Sequence, residues 1–290
     1  MDRLLIVGAG DVARRALPAL RARYATSALV RGDHAPRASS GLRTLAGDLD
    51  RAESLAGLAD SADFVLHLAP PSETGLRDAH TRNLVAALSG ARMLPRRVVY
   101  IGTSGVYGDC GGARVDESQP INPQTDRARR RVDAEEVLRD WTRSRRVDLV
   151  ILRAPGIYAA DRLPLDRLRS GTPVLRAEDD AYTNHIHADD LAAICVRALE
   201  PDAPAGVYNA ADDTEMKMGD WFDLVADRFG LPRPPRVGRA EAEALIPPAL
   251  LSFMRESRRL VNRRMKEAFG IRLQYPTVFE GVPRGAAALA

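Results

Sequence analysis

A doubly wound parallel α/β sheet followed by a smaller C-terminal lobe is the fold class that the sequence predicts. Three observations carry this expectation. A short apolar run ends in a glycine-rich turn at the start of the chain, short apolar runs alternate with helix-period segments up to about Pro155, and beyond Pro155 the rhythm becomes irregular.

The first element is Leu4-Leu5-Ile6-Val7, a continuous apolar run halted by Gly8, as a strand buried on both faces would be. Val12, Ala16, Leu17 and Leu20 then recur at helical spacing, with Arg14, Arg15 and Arg21 off the stripe. Further strands are predicted over 27–30, 42–46, 64–68, 98–101 and 147–152, and helices over 51–58, 75–88 and 125–142. Later, prolines at 164, 173, 201 and 204 and the 231–235 segment separate shorter elements. A last helix is predicted over 256–269, with Val261, Met265 and Phe269 as its apolar set.

Composition excludes several classes of function. Of 290 residues, 45% are hydrophobic and 28% charged, which rules out a mainly disordered chain. A net charge of +3 over this length does not mark a nucleic-acid binder or a membrane-surface protein. Cys110 and Cys195 lie far apart without metal-ligand spacing, so neither a disulfide framework nor a zinc site is expected. No signal-peptide core and no apolar stretch of membrane-spanning length is visible, so a cytoplasmic protein is the expectation. Only two residues are lysine, Lys217 and Lys266.

Gly8-Ala9-Gly10-Asp11-Val12-Ala13 follows the first strand and opens the first helix, the context that a dinucleotide-binding G-x-G-x-x-G/A loop requires. Gly8 allows the tight turn, Gly10 lets backbone approach a pyrophosphate, Ala13 keeps the helix close to the sheet, and the N–H groups at Asp11 and Val12 face the anion. At the end of the second strand, Arg31, with Arg37 nearby, favours the 2′-phosphate of NADP over NAD; Asp33 as a ribose ligand is the alternative. The chain thus divides into a dinucleotide-binding unit, 1–155, and a smaller substrate lobe, 156–290, of which about 185–210 is expected to return to the sheet.

Several islands then agree with one family. They are the glycine loop, Gly47-Asp48-Leu49, His67-Leu68-Ala69, Gly102-Thr103-Ser104-Gly105-Val106-Tyr107-Gly108, Leu152-Arg153-Ala154-Pro155-Gly156-Ile157-Tyr158, Ile186-His187-Ala188-Asp189-Asp190-Leu191-Ala192 and Val207-Tyr208-Asn209. The chain resembles the short-chain dehydrogenase/reductase superfamily, in particular its extended and atypical NAD(P)-dependent epimerase/dehydratase-like branch. The resemblance implies a Rossmann-type sheet, Asp48 and Leu49 at the adenine, Leu68, Ala69 and Pro70 along the cofactor, and Thr103 on the substrate oxygen. Asp48 as a turn cap and Thr103 as a backbone partner at a strand end stay open as alternatives. Asp189 or Asp190 is expected to cap the following helix. Helices flanking the sheet often pair in this family, so a homodimer is one arrangement open to the chain.

The acid–base pair of that family, a Tyr with a Lys four residues on, is missing. If Glu135 is the Glu that commonly follows the Lys in relatives, Arg131 stands at the Lys position and Arg127 at the Tyr position; no Lys precedes Lys217 and no Tyr lies between Tyr107 and Tyr158. Arg131 can still bind ribose hydroxyls, but a guanidinium cannot cycle protons in an ordinary relay. Tyr107, four residues after Thr103, is a candidate substitute acid, with packing of the loop as its alternative. His185, His187 and Asp189 alternate at strand spacing, yet two histidines without a distant third ligand do not make a metal site. The arginines of 255–264 are candidates for an anionic substrate or a solvated face.

The expected function is therefore an NAD(P)-dependent oxidoreductase or epimerase/dehydratase-like protein acting on a small carbonyl, hydroxyl or nucleotide-sugar substrate, with no nucleic-acid or membrane partner. A catalytically silent NADP(H)-binding sensor or assembly protein is the alternative.

Overall fold

The structure is a computed structural model and describes residues 1–32 and 42–285. Seven strands form one parallel sheet: β1 (Arg3–Val7), β2 (Ala25–Val30), β3 (Arg43–Ala46), β4 (Phe64–His67), β5 (Arg97–Thr103), β7 (Asp148–Ala154) and β12 (Gly206–Asn209). Their order is β12-β7-β5-β4-β1-β2-β3, so the chain winds outward from β1 in both directions. This is a Rossmann-type sheet. The order reverses between β1 and β4, and a crevice opens there at the carboxyl ends of the strands.

The continuous apolar run of β1 is explained by burial on both faces. Leu4 and Ile6 pack with Val12, Ala16 and Leu20 of α1 (Asp11–Arg21) and Leu191, Ala192 and Cys195 of α5 (Ala188–Ala198). Leu5 and Val7 point the other way, into a core with Leu84 and Leu88 of α2 (Ala79–Ser89) and Ala134, Leu138 and Trp141 of α3 (Asp126–Arg145). Alternation along one strand thus feeds two layers of helix. Arg97, 3% exposed, ties the end of α5 and the loop after it to the sheet by donating to the carbonyls of Ala198, Glu200 and Ala203 at 2.7–3.0 Å.

A third core fills the C-terminal lobe, where α4 (Leu165–Arg169) contributes Leu165 and Leu168 and α6 (Met218–Phe229) contributes Trp221, Phe222 and Val225. Short strands stitch this lobe together. β8 (Gly156–Tyr158) runs parallel to β11 (His185–His187), and β6 (Arg114–Val115) parallel to Arg259–Leu260. Among the described residues no helix is long and apolar enough to cross a membrane, and both cysteines are free.

Three expectations need correction. The helix expected over 256–269 is broken: Arg259–Leu260 is a strand, with Arg259 N–H bonded to Ala113 O at 2.9 Å and Val261 N–H to Val115 O at 2.8 Å, and the helix spans only Arg263–Phe269. Long-range pairing to β6 outcompetes a helical period that local spacing alone supports. The helix expected over 75–88 begins at Ala79, because Asp78 accepts from His80 N–H as its N-cap. The segment expected as a helix over 51–58 is a 3-10 helix, Ala52–Leu58.

One buried ion pair fixes α3 on the sheet. Glu135 is fully buried and receives both Arg153 from β7, Nε at 3.0 Å and Nη2 at 2.7 Å, and Arg139 at 2.7 Å. Removing one partner leaves the other charge buried and uncompensated, which costs about 3 kcal/mol or more. Glu135→Gln is expected to lower unfolding stability by about that amount in urea titration; an unchanged midpoint would show that the ion pair does not hold the helix.

Candidate active site

β1 ends at Gly8, whose φ of +96° is left-handed. A Cβ there would sit 2.5 Å from Ala69 N, so only glycine lets the loop after β1 lie against the loop after β4. Gly10 then caps α1 without a side-chain bond, and open space surrounds the place where its Cβ would be. The first N–H groups of an eleven-residue helix thus face an unobstructed approach, which fits a pyrophosphate. The residues present therefore suit a nicotinamide dinucleotide.

Asp11 puts a carboxylate at this helix end, and arginines surround it. Arg15 donates to Asp11 at 3.0 Å and to Asp189 at 2.7 Å, and Arg162 reaches Asp11 at 3.1 Å from the C-terminal lobe. Burial works the other way, but the bonds from Arg15 and Arg162 hold Asp11 below the ordinary carboxylate range.

A cleft of about 700 Å³ runs from this loop between sheet and lobe. Gly8, Gly10, Asp11, Val12, Leu68 and Pro70 line the sheet side together with Thr103, Arg127 and Arg131. Thr103 ends β5, its hydroxyl accepting from Gly105 N–H at 3.2 Å. Thr125 caps α3 by accepting from Ala128 N–H, which places Arg127 and Arg131, one turn apart, on the face toward the cleft. Arg131 donates to Tyr100 Oη at 3.0 Å and Ile101 O at 3.1 Å, while Arg127 stacks over Phe253 at 4.3 Å.

Other expected residues lie elsewhere. Tyr107 is 1% exposed and outside the cleft lining; its hydroxyl donates to Asn209 Oδ1 at 2.8 Å and the Arg153 guanidinium covers its ring at 4.8 Å. This corrects the substitute-acid expectation, since the phenol is spent on holding β12. Ala69 is buried against Gly8 rather than lining the cleft. Asp48 accepts from Asp50 N–H at 3.1 Å, the turn-cap alternative, and Leu49 is buried with its carbonyl held by Asn83. Arg31 is exposed just past β2, without an ion-pair partner among the described residues; Asp33 and Arg37 lie outside them. The cap of α5 is neither Asp189 nor Asp190 but His187, whose Nδ1 accepts from Asp189 N–H at 3.2 Å. Asp190 instead receives Gln274 and Tyr275 N–H groups. Among the described residues no group of three or more His, Cys, Asp or Glu is placed to hold a metal ion.

The lobe side of the cleft was not legible as a site. Tyr158, Arg167, His185, Trp221 and Phe222 line it. Arg167 sits in a short run of charged and leucine residues that reads as solvated helix, and Trp221 and Phe222 read as core. Behind His185, Asp212 donates its N–H to His185 O at 2.8 Å, and its own Oδ2 is buried without a partner. Burial, with Asp213 and Asp190 nearby, pushes Asp212 up to about 7. A raised carboxyl pKa means that its stability contribution is complete below the unfolded value of about 4 and is lost as pH rises through about 7. Asp212→Asn is expected to match the wild type at pH 4 and to exceed it in stability at pH 8 by a few kcal/mol, on the order set by the shift. Melting curves across that range check this; parallel curves would overturn it.

The model of the NAD dependent epimerase/dehydratase family matches residues 4–211. A 3-diazoavenalumate denitrifying reductase from Streptomyces sp is 28% identical over 307 residues, 97% of this chain and 99% of that protein. The dTDP-D-glucose 4,6-dehydratase of Homo sapiens is 22% identical over 208 residues, 58% of this chain and 59% of that one. Among solved structures, a functionally unknown conserved protein from Silicibacter pomeroyi DSS superposes with a TM-score of 0.77 at 28% identity, covering 97% of this chain and 96% of that one. UDP-glucose 4-epimerase from Thermus thermophilus, solved with NAD, shares the fold, with a TM-score of 0.73 at 20% identity and 96% of each chain covered. With the glycine loop, the sheet order and a family match over more than two thirds of its length, the chain belongs to the NAD dependent epimerase/dehydratase family.

Proposed function

We propose that the protein is an NADP(H)-dependent reductase of a small carbonyl substrate, working without the Tyr and Lys pair of its superfamily. The observation that carries this reading is the single continuous cleft that joins the glycine loop, Thr103 and Arg131 to an aromatic wall of Trp221, Phe222 and Phe253. Such a wall favours a compact substrate with an apolar body over a nucleotide sugar. The Streptomyces relative, matched nearly end to end, is a reductase, which favours reduction over dehydration.

The bound cofactor would supply hydride. Thr103 orients the substrate oxygen through its hydroxyl. Arg131, held by Ile101 O and Tyr100 Oη, would keep a fixed positive charge where the ribose and nicotinamide bind, and Arg127, one turn earlier on α3, adds a second cation. A guanidinium stays protonated throughout, so both arginines stabilise developing negative charge and the proton comes from water. Arg31, exposed past β2, is assigned to the 2′-phosphate.

A silent NADP(H)-binding sensor or assembly protein is the second reading, favoured by the arginines at both catalytic positions and by the absence of lysine before Lys217. Melting-temperature shifts with NADPH and NADH, followed by NADPH oxidation over a panel of aldehydes and ketones, separate the two. NADPH at a hundred times its Kd should stabilise the fold by about 2.7 kcal/mol. Arg31→Asp should weaken NADPH binding far more than NADH binding, and equal loss would remove the NADP assignment. Thr103→Ala should lower turnover about a hundredfold with cofactor affinity intact; binding of NADPH with no turnover on any carbonyl would favour the silent reading.

A further inference from the structure

The lobe side of the cleft holds two side chains that each leave one buried polar atom unpartnered. Arg167 stacks its guanidinium over Phe222 at 4.1 Å and donates Nη2 to Pro173 O at 3.3 Å, while its Nε is buried and unpartnered. No carboxylate lies within ion-pair range of it among the described residues, unlike Arg169 two positions on, which pairs with Asp166 at 2.9 Å. His185 is 4% exposed, and its Nδ1 is likewise buried and unpartnered. The His185 ring lies 4.4 Å from that of Trp221 and meets Tyr158 edge-on at 6.1 Å. Both residues line the same cleft.

These groups are costly as they stand. Burial alone lowers Arg167 to about 10 and His185 to about 3, so the imidazole is neutral at physiological pH. A buried donor left unsatisfied costs about 1–3 kcal/mol. The rest of the cleft does not offset the charge. Arg127, Arg131 and Arg258 line it as well, and the carboxylate of Glu256, which faces it, is taken by Arg258 at 2.8 Å.

We propose that this end of the cleft is a subsite for a planar aromatic carboxylate, with Arg167 binding the carboxylate, Trp221 and Phe222 flanking the ring, and His185 bonding a polar ring substituent. A single arginine fork matches one carboxylate, and the aromatic surroundings match a ring. A diphosphate would need several donors around it, and beside Arg167 the lobe wall offers Phe222 and Trp221 instead. The inference rests on the reading of the cleft as a reductase active site, and it names the substrate class.

Trp221 reports on the site directly. With Trp141 replaced by Phe, it is the sole tryptophan. Trp141 lies in the core beneath α2, bonded to Ser89 Oγ at 2.8 Å, away from the cleft. Fluorescence titrations with cinnamate, cinnamamide and UDP, with and without NADP⁺, are expected to show saturable quenching by cinnamate at least about tenfold tighter than by cinnamamide, as a charge-assisted bond implies. Arg167→Gln should abolish that preference while cinnamamide binds as before, and Arg169→Gln should leave it intact. The comparison of acid with amide uses the Trp141→Phe protein alone, so it stands even if Arg167→Gln folds poorly. Equal affinity for acid and amide, no saturable quenching by cinnamate, tighter binding of UDP, or a preference that survives Arg167→Gln would each overturn the subsite. NADPH melting shifts on the same proteins keep the two ideas apart. A shift without carboxylate preference removes the subsite alone, and carboxylate preference without any shift removes the reductase reading alone.

Discussion

The buried carboxylate of Glu135 pins α3 to the central sheet, and with it the helix that lines one side of the cleft. Glu135 holds Arg153 of β7, the Arg153 guanidinium covers Tyr107, and the Tyr107 hydroxyl donates to Asn209 of β12. Asn209 in turn donates to Val115 O and Val261 O, so the chain of contacts crosses the sheet edge and reaches the C-terminal strand. A buried charge network of this kind has one low-energy arrangement, since each partner removed leaves another unpaired. Arg131 and Arg127 lie one and two turns earlier on the helix that this network fixes, with the Thr125 cap setting its start.

That anchoring fixes which side chains α3 presents to the cleft. Arg127 and Arg131 line it, and Arg131 is held by Ile101 O and Tyr100 Oη. Their residue type limits the chemistry available. A lysine ammonium can shift and share a proton, whereas a guanidinium supplies a permanent charge in a fixed fork. Arginines line the cleft at both ends, and aromatic side chains line its lobe wall.

The sheet was legible because its signals are local. Leu4 to Val7 and the glycines after them announce a buried strand and a phosphate loop within ten residues, and the same rhythm recurs as far as β7. The cofactor side of the cleft follows from that, since Gly8, Gly10 and Thr103 sit at strand ends and a helix start and Arg131 in the second turn of α3, where the topology brings them together. The lobe side was not legible. Arg167 stands among charged neighbours in sequence but faces Phe222 in space, and Trp221 looks like any core tryptophan until His185 is found beside it.

Sequence by itself determined the α/β class, the dinucleotide loop and the lack of any Tyr followed four residues on by Lys, because each is written in residue identity and spacing over a few positions. Tertiary structure alone decided that 256–269 is a strand followed by a helix, that the Tyr107 hydroxyl belongs to Asn209, and that Arg167 has no counter-ion among the described residues. The physical reason is range. Helical and strand periods arise from neighbours within about four residues, whereas the partner that ends a helix, occupies a phenol or fails to neutralise an arginine comes from residues far away in the chain.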